Sequence, residues 1–218
     1  MNASTEISHQ SPPTGSRAAA SADLRDRLIE AAIQEFASYG FEGASTRRIA
    51  ERAEAHQPQI NYHFDSKLDL WKAVMLKLLA EVDDSTEIDP DSSPRDAVAA
   101  AITGVVALAA RRPELNRMMI HEGTHPSERL EWLVETQLKM RAEPLLEVWG
   151  TLVESGEAAD IPPELLYHTL VGAASLLHAN APEARLLVGI EPTDPAVVES
   201  QTKALIELFL PTSRKRNT

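Results

Sequence analysis

The chain has 218 residues, 43% of them hydrophobic and 25% charged, with no cysteine and a net charge of −12. That length supports a sizeable buried core, in one large domain or two small ones. The lack of cysteine excludes a disulfide framework and a thiolate zinc site and suits a cytoplasmic location. The longest apolar run, Ala97 to Ala110, is bracketed by Asp96 and Arg111 and is shorter than the roughly 18 to 20 residues of a membrane span, so it reads as a buried helix.

The negative charge is unevenly spread. Residues 22–80 hold eight Lys/Arg against nine Asp/Glu, whereas residues 81–218 hold twelve against twenty-three. The first region is close to neutral and can still present a local basic face, while the second is kept off polyanions by its own field.

Residues 1–21, MNASTEISHQSPPTGSRAAAS, are polar, rich in Ser and Pro, and lack the apolar stretch of a signal peptide; they read as a disordered tail. From Asp23, Leu24, Leu28, Ile29, Ala32, Ile33, Phe36 and Ala37 fall at helical spacing. The run ends at Tyr39-Gly40, because glycine takes the left-handed conformation that stops a helix. A loop over 41–45 leads to two short helices, 46–53 and 57–64. Ser66 then caps a further helix, with Asp69 placed to complete the capping pair, and Leu68, Trp71, Leu78 and Val82 on its inner face.

The polar, turn-forming stretch 83–94, DDSTEIDPDSSP, marks a domain boundary. Beyond it the pattern predicts helices over 95–111, 114–123, 127–155, 163–179 and 194–210. Pro144 inside the third of these is expected to kink it by removing a backbone donor. No segment alternates with a period of two, so strands are not expected. The reading is all-α: a domain over 22–82, a second over 94–211, and a flexible tail over 212–218.

The segment 45–67, STRRIAERAEAHQPQINYHFDSK, carries the chemistry. Ile49, Ala50 and Ala53 give the first short helix a small apolar face that permits close approach. Ile60 and Phe64 give the second an inward stripe. Gln57, Gln59, Asn61 and Tyr62 are left pointing outward, and Pro58 is tolerated in the first turn. Two tightly joined short helices let one brace and the other enter the major groove. Gln and Asn pair bidentately with adenine edges, while Tyr, Thr, Arg and Lys contact phosphates.

A helix ending in Phe-x-x-Tyr-Gly, followed by Ser-Thr-Arg-Arg-Ile-Ala and then Ile-Asn-Tyr-His-Phe-Asp-Ser-Lys, resembles the N-terminal DNA-binding region of the TetR family of bacterial regulators. The resemblance covers residues 23–79. It implies phosphate contacts from Thr46 and Lys67, phosphate or groove contacts from Arg47 and Arg48, and backbone contacts from Tyr62 and His63. Gln57, Gln59 and Asn61 are the expected base readers. Where the family usually carries glycine in the turn, this chain has Glu54, which in a left-handed conformation costs on the order of 1 kcal/mol.

The same resemblance implies that the second domain binds a small-molecule effector and dimerises through the last two helices. Val171, Gly172, Ala173, Ala174 and Ser175 on one, and Val197, Val198, Leu205, Ile206 and Phe209 on the other, are the positions offered to a partner copy; the alternative for each is intramolecular core. Met118, His121, His125, Trp132, Trp149 and His178 are candidate effector-pocket residues, again with plain core as the alternative.

His121-Glu122-Gly123-Thr124-His125 matches the HExxH pattern of zinc hydrolases. Gly123 inside it and Pro126 after it favour a helix end over a helical metal site, and no third ligand is signalled. The expected function is a homodimeric, ligand-responsive repressor on a palindromic operator, with no catalytic residue, cofactor or metal. Its partners would be double-stranded DNA, a second copy of the chain and an unidentified effector, with no membrane. The rivals are a metal-dependent hydrolase built on His121, Glu122 and His125, and an interaction protein that kept the fold but lost DNA binding, suggested by the acidic balance.

Overall fold

The computed structural model describes residues 14–86 and 91–212, and every regular element among them is helical. In order these are α1 (Thr14–Gly43), α2 (Thr46–Arg52), α3 (Gln57–His63), α4 (Lys67–Ser85), α5 (Pro94–Arg111), α6 (Pro113–Gly123) and α7 (Glu128–Leu133). There follow α8 (Lys139–Ser155), α9 (Pro163–Ala179), α10 (Ala181–Val188) and α11 (Pro195–Phe209).

Local chemistry sets most of the boundaries. Ser45, Ser66, Ser93 and Ser127 each accept a backbone N–H three residues on, at the starts of α2, α4, α5 and α7. At α4 the Ser66 hydroxyl also donates to Asp69 at 2.6 Å, as the capping pair predicted. The α1 rod breaks at Gly40, whose φ of 64° and ψ of 179° no helix tolerates; one further turn carries on to Gly43, where a loop was expected.

Three sequence expectations are corrected. Residues 14–21 belong to α1 and are not a disordered tail, because Ala-rich chain extends a helix already anchored downstream; residues 1–13 lie outside the described residues, as do 213–218 of the expected C-terminal tail. The α10 helix was not anticipated, since its eight residues bury only the small side chains Ala181 and Ala184 and leave Leu186 and Leu187 in solvent. Pro144 does not interrupt α8; the irregularity lies upstream, where α7 passes into α8 through a wider π-turn at Val134–Leu138.

Two apolar cores result. One joins α1 to α4 around Leu28, Phe36, Ile49, Ile60, Trp71 and Leu78, and reaches across to Met118 on α6 and Leu133 on α7. The other joins α5, α8, α9 and α11 around Ile102, Val106, Trp149, Leu170 and Phe209. The 83–94 stretch is thus a boundary in sequence but not a gap in space, because α6 lies along α1 and Trp132 meets Trp71 edge-on at 5.9 Å.

The close crossing of α4 and α5 depends on Gly104. A Cβ there would stand 1.9 Å from the Ser85 carbonyl oxygen, so no side chain fits unless a backbone moves. Gly104→Ala is expected to cost about 1 to 3 kcal/mol of stability, read as a lowered urea midpoint at unchanged m-value.

Candidate functional site

The α2–α3 unit rests on a carboxylate buried under it. Glu35 lies on the inner face of α1 with no solvent exposure. Its Oε1 accepts the Ser45 backbone N–H at 2.9 Å and the Arg48 Nε at 2.7 Å. Arg48 also donates to the Gly43 carbonyl at 2.9 Å and lies 4.6 Å over the Tyr39 ring. These bonds fix the N-terminus of α2 against α1. The Glu35 bond, opposed by partial burial, raises Arg48 above its usual value and keeps it charged.

This geometry divides the predicted DNA contacts. Arg47 is exposed and holds only Glu51, one helical turn away at 2.8 Å, a pair of the kind worth little in water. Arg48 is paired inside the chain and anchors α2 while its side chain stays 47% exposed; its expected role as a phosphate or groove contact remains a proposal. Thr46 is half-buried at the first position of α2.

On α3, Ile60 is buried and Phe64 closes the helix against the core. Gln57, Asn61 and Tyr62 project outward, with Tyr62 79% exposed. Gln59 is turned to another use: its Oε1 accepts the His56 N–H at 2.7 Å and closes the first turn of α3. That bond holds Gln59 half-buried in the first turn of α3 and occupies one of the two acceptor sites of its Oε1. His63 is half-buried and stacks edge-on to Tyr62 at 5.1 Å. Lys67 donates to the Glu42 carbonyl at 3.3 Å and lies 4.8 Å over the Phe41 ring.

The turn between the two helices contains Glu54 at a φ of 53°, the left-handed conformation anticipated at this position. Glu54→Gly is expected to leave the fold unchanged and to raise stability by up to about 1 kcal/mol, read by thermal melting. Glu35→Ala should act in the opposite direction. Stranding the Ser45 N–H and releasing Arg48 is expected to cost about 2 kcal/mol, whereas Arg47→Ala shifts the denaturant midpoint by less than about 0.5 kcal/mol.

None of the six residues offered as an effector pocket lines the enclosed cavity. Met118 is core beneath α1, Trp132 packs on Trp71, and Trp149 is buried with its Nε1 donating to the Ile161 carbonyl at 2.8 Å. His178 bonds Gln201 at 2.8 Å across α9 and α11, and burial, opposed by that bond, lowers its pKa. His121 and His125 are exposed at the end of α6, and His121 lies against Gly40. Glu122, between them, turns inward and pairs with Arg129 at 3.2 Å, so the HExxH residues do not converge. No group of three metal-ligating side chains occurs among the described residues.

The cavity, of about 520 Å³, lies between α4, α5, α6, α8 and α9. Its wall is mainly apolar, with Leu79, Val105, Leu108, Met119, Leu145 and Leu170 prominent. Its charged groups, Asp83, Arg112 and Arg141, are already paired. Arg141 forms a two-pronged bridge to Asp83, 2.7 Å on each side. Arg112 bonds Glu81 at 2.9 Å and Glu30 at 3.1 Å, and Lys77 bonds Glu30 at 2.8 Å. Burial alone would raise the Glu30 carboxyl, but these two partners outweigh it and hold it below its ordinary value. A larger groove of about 830 Å³ between α5 and α11 is more open and rimmed by charges including Arg111, Glu199 and Lys203, so the deeper cavity has more of the character of a small-molecule pocket.

The surfaces offered for pairing are also sorted. Leu205, Phe209, Ala174 and Ser175 face their own core. Leu165, Gly172, Ala173 and Leu176 on α9, and Ala204 and Leu208 on α11, remain exposed. No described helix is long and apolar enough to cross a membrane.

Comparisons with known proteins bear on the N-terminal helices and on the fold. A family model described as bacterial regulatory proteins, tetR family, matches residues 28–74. A transcriptional repressor of Streptomyces coelicolor is 33% identical over 97 residues, which is 44% of this chain and 48% of the repressor's own length. The transcriptional regulator RutR of Escherichia coli K12 is 24% identical over 203 residues, covering 91% of this chain and 96% of RutR. In fold, the chain is similar to AibR solved with isovaleryl coenzyme A and operator DNA, with a TM-score of 0.68 at 17% identity over 87% of this chain and all of AibR.

Proposed function

The chain belongs to the TetR family of bacterial regulatory proteins, and on that premise we propose that it is a homodimeric repressor whose helical second domain takes up a small molecule and releases an operator. The observation that carries this reading is α3: a short helix held down by Ile60 and Phe64, presenting Gln57, Asn61 and Tyr62 to solvent. Gln57 and Asn61 are one helical turn apart and read base edges. Arg47, Tyr62 and Thr46 hold phosphates on either side. His63 and Lys67 contact the backbone by leaving their present in-chain partners.

One recognition helix reads only a few base pairs, so a two-fold partner supplies the second half-site. The exposed small and apolar positions on α9 and α11 support pairing there. The near-neutral charge of residues 22–80 and the acidity of the remainder favour an orientation with α3 toward DNA. Such a protein works in the cytoplasm and carries out no chemistry on its ligand.

The test is a salt-controlled binding titration on DNA flanking the protein's own gene, against a random duplex. Tight, competitor-resistant binding with two-fold symmetric protection is the expected result; equal binding to both duplexes sinks the proposal. Asn61→Ala is expected to relax preference at particular base pairs by about 1 to 3 kcal/mol. Arg47→Ala should weaken binding to all sequences alike and reduce the salt slope by about 1.

A further inference from the structure

We infer that the enclosed cavity takes an uncharged, largely apolar molecule with one hydrogen-bonding end. This rests on the reading of the chain as a ligand-responsive regulator and adds the chemical class of the ligand. A cavity of about 520 Å³ is within the range of roughly 300 to 1,000 Å³ that holds cofactor- or drug-sized ligands.

Charge decides the class. Two arginines in a cavity wall suggest an anion at first sight, but both are spent. The guanidinium of Arg141 is clasped by Asp83, and that of Arg112 by Glu81 and Glu30. With Lys77 on Glu30, the lattice sets three carboxylates against three cations, and its net charge is zero. A ligand carboxylate would have to displace one of these pairs and strand a half-buried charge, which is costly. A ligand cation meets the same obstacle from the other side.

What remains unspent is neutral. Among the described residues, no hydrogen bond engages the Asn116 amide or the Tyr167 hydroxyl, and both line the cavity. Burial raises the Tyr167 phenol above its ordinary value, so it stays a neutral donor. Pro144 has no N–H, which deprives the Met140 carbonyl of its helical partner, and both residues lie on the cavity wall. The site thus offers a few neutral donors and acceptors in an apolar wall, and polar groups left unmatched there cost a ligand affinity.

The test uses the full chain and two probes of one shape, 2-naphthalenemethanol and 2-naphthoate, measured by titration calorimetry. The alcohol is expected to bind at least about tenfold more tightly than the carboxylate. Val105→Trp, which fills the cavity, should abolish binding of the alcohol. Asn116→Leu leaves the ion pairs intact and should weaken the alcohol severalfold. Asp83→Asn frees Arg141 and should raise affinity for 2-naphthoate by about tenfold, a gain lost again when Arg141→Met is added.

Carboxylate binding equal to or tighter than the alcohol in the parent protein overturns the assigned class. Failure of both probes to bind, or binding untouched by Val105→Trp, overturns the cavity as the site. Operator affinity is measured separately with the alcohol present. If the alcohol binds in the cavity but no neutral ligand lowers operator affinity, the regulatory reading fails while the chemistry of the cavity stands.

Discussion

The bond between Glu35 and the α2 N-terminus is the constraint on which the DNA-facing half of the molecule depends. A recognition helix of seven residues has little stability of its own, and α3 is that length. It is held because α2 is held, and α2 is held because a buried carboxylate takes both the Ser45 N–H and the Arg48 guanidinium. A charge placed under an apolar face is acceptable only when hydrogen bonds compensate its loss of water. Here the bonds converge on Oε1 and fix the direction in which α2 leaves α1, while Oε2 is buried with no partner among the described residues.

From that anchor the structure runs without a break into the second half. Phe41, just past the Gly40 break, lies between the Arg129 guanidinium at 4.0 Å and the Lys67 ammonium at 4.8 Å. Trp132 seats α7 on Trp71. The far end of α4 enters the cavity wall through Leu79, Val82 and Asp83, while its N-terminal end begins three residues after α3. One rigid helix therefore touches both the ligand cavity and the support of the DNA-facing helix. A ligand that favours one placement of α4 biases the other end by its differential affinity for the two placements.

Most of the fold was legible because amphipathic periodicity and capping are local. Ser66 with Asp69, the glycine break at 40 and the left-handed Glu54 could each be read from a few residues. Glu35 could also have been found: it stands three residues after Ala32 and seven after Leu28, on the apolar stripe of its helix. What misled was chemistry read without position. Trp149, Trp132 and His178 are the residue types of a ligand pocket, yet large aromatic groups fill cores by the same physics. The cavity wall is instead made mainly of aliphatic residues from several helices, with Ala97, Ala101 and Ala109 on α5 and Ala142 on α8 leaving space.

By itself, the sequence determined an all-helical protein with two tightly joined short helices and an acidic helical second region, because those features follow from spacing, caps and charge along the chain; the DNA-reading role of the helix pair was implied by its resemblance to the TetR family. Only the tertiary structure decided that Arg47 holds just an exposed pair with Glu51 while Arg48 binds a buried carboxylate, that Gln59 caps α3, that Glu122 turns inward, and that Arg112 and Arg141 are neutralised. The arginine pairings depend on partners distant in sequence: Glu35 for Arg48, Glu30 for Arg112, Asp83 for Arg141. Whether a charge is available for function depends on whether the fold has already paired it, and pairing across tens of residues leaves no local pattern to read.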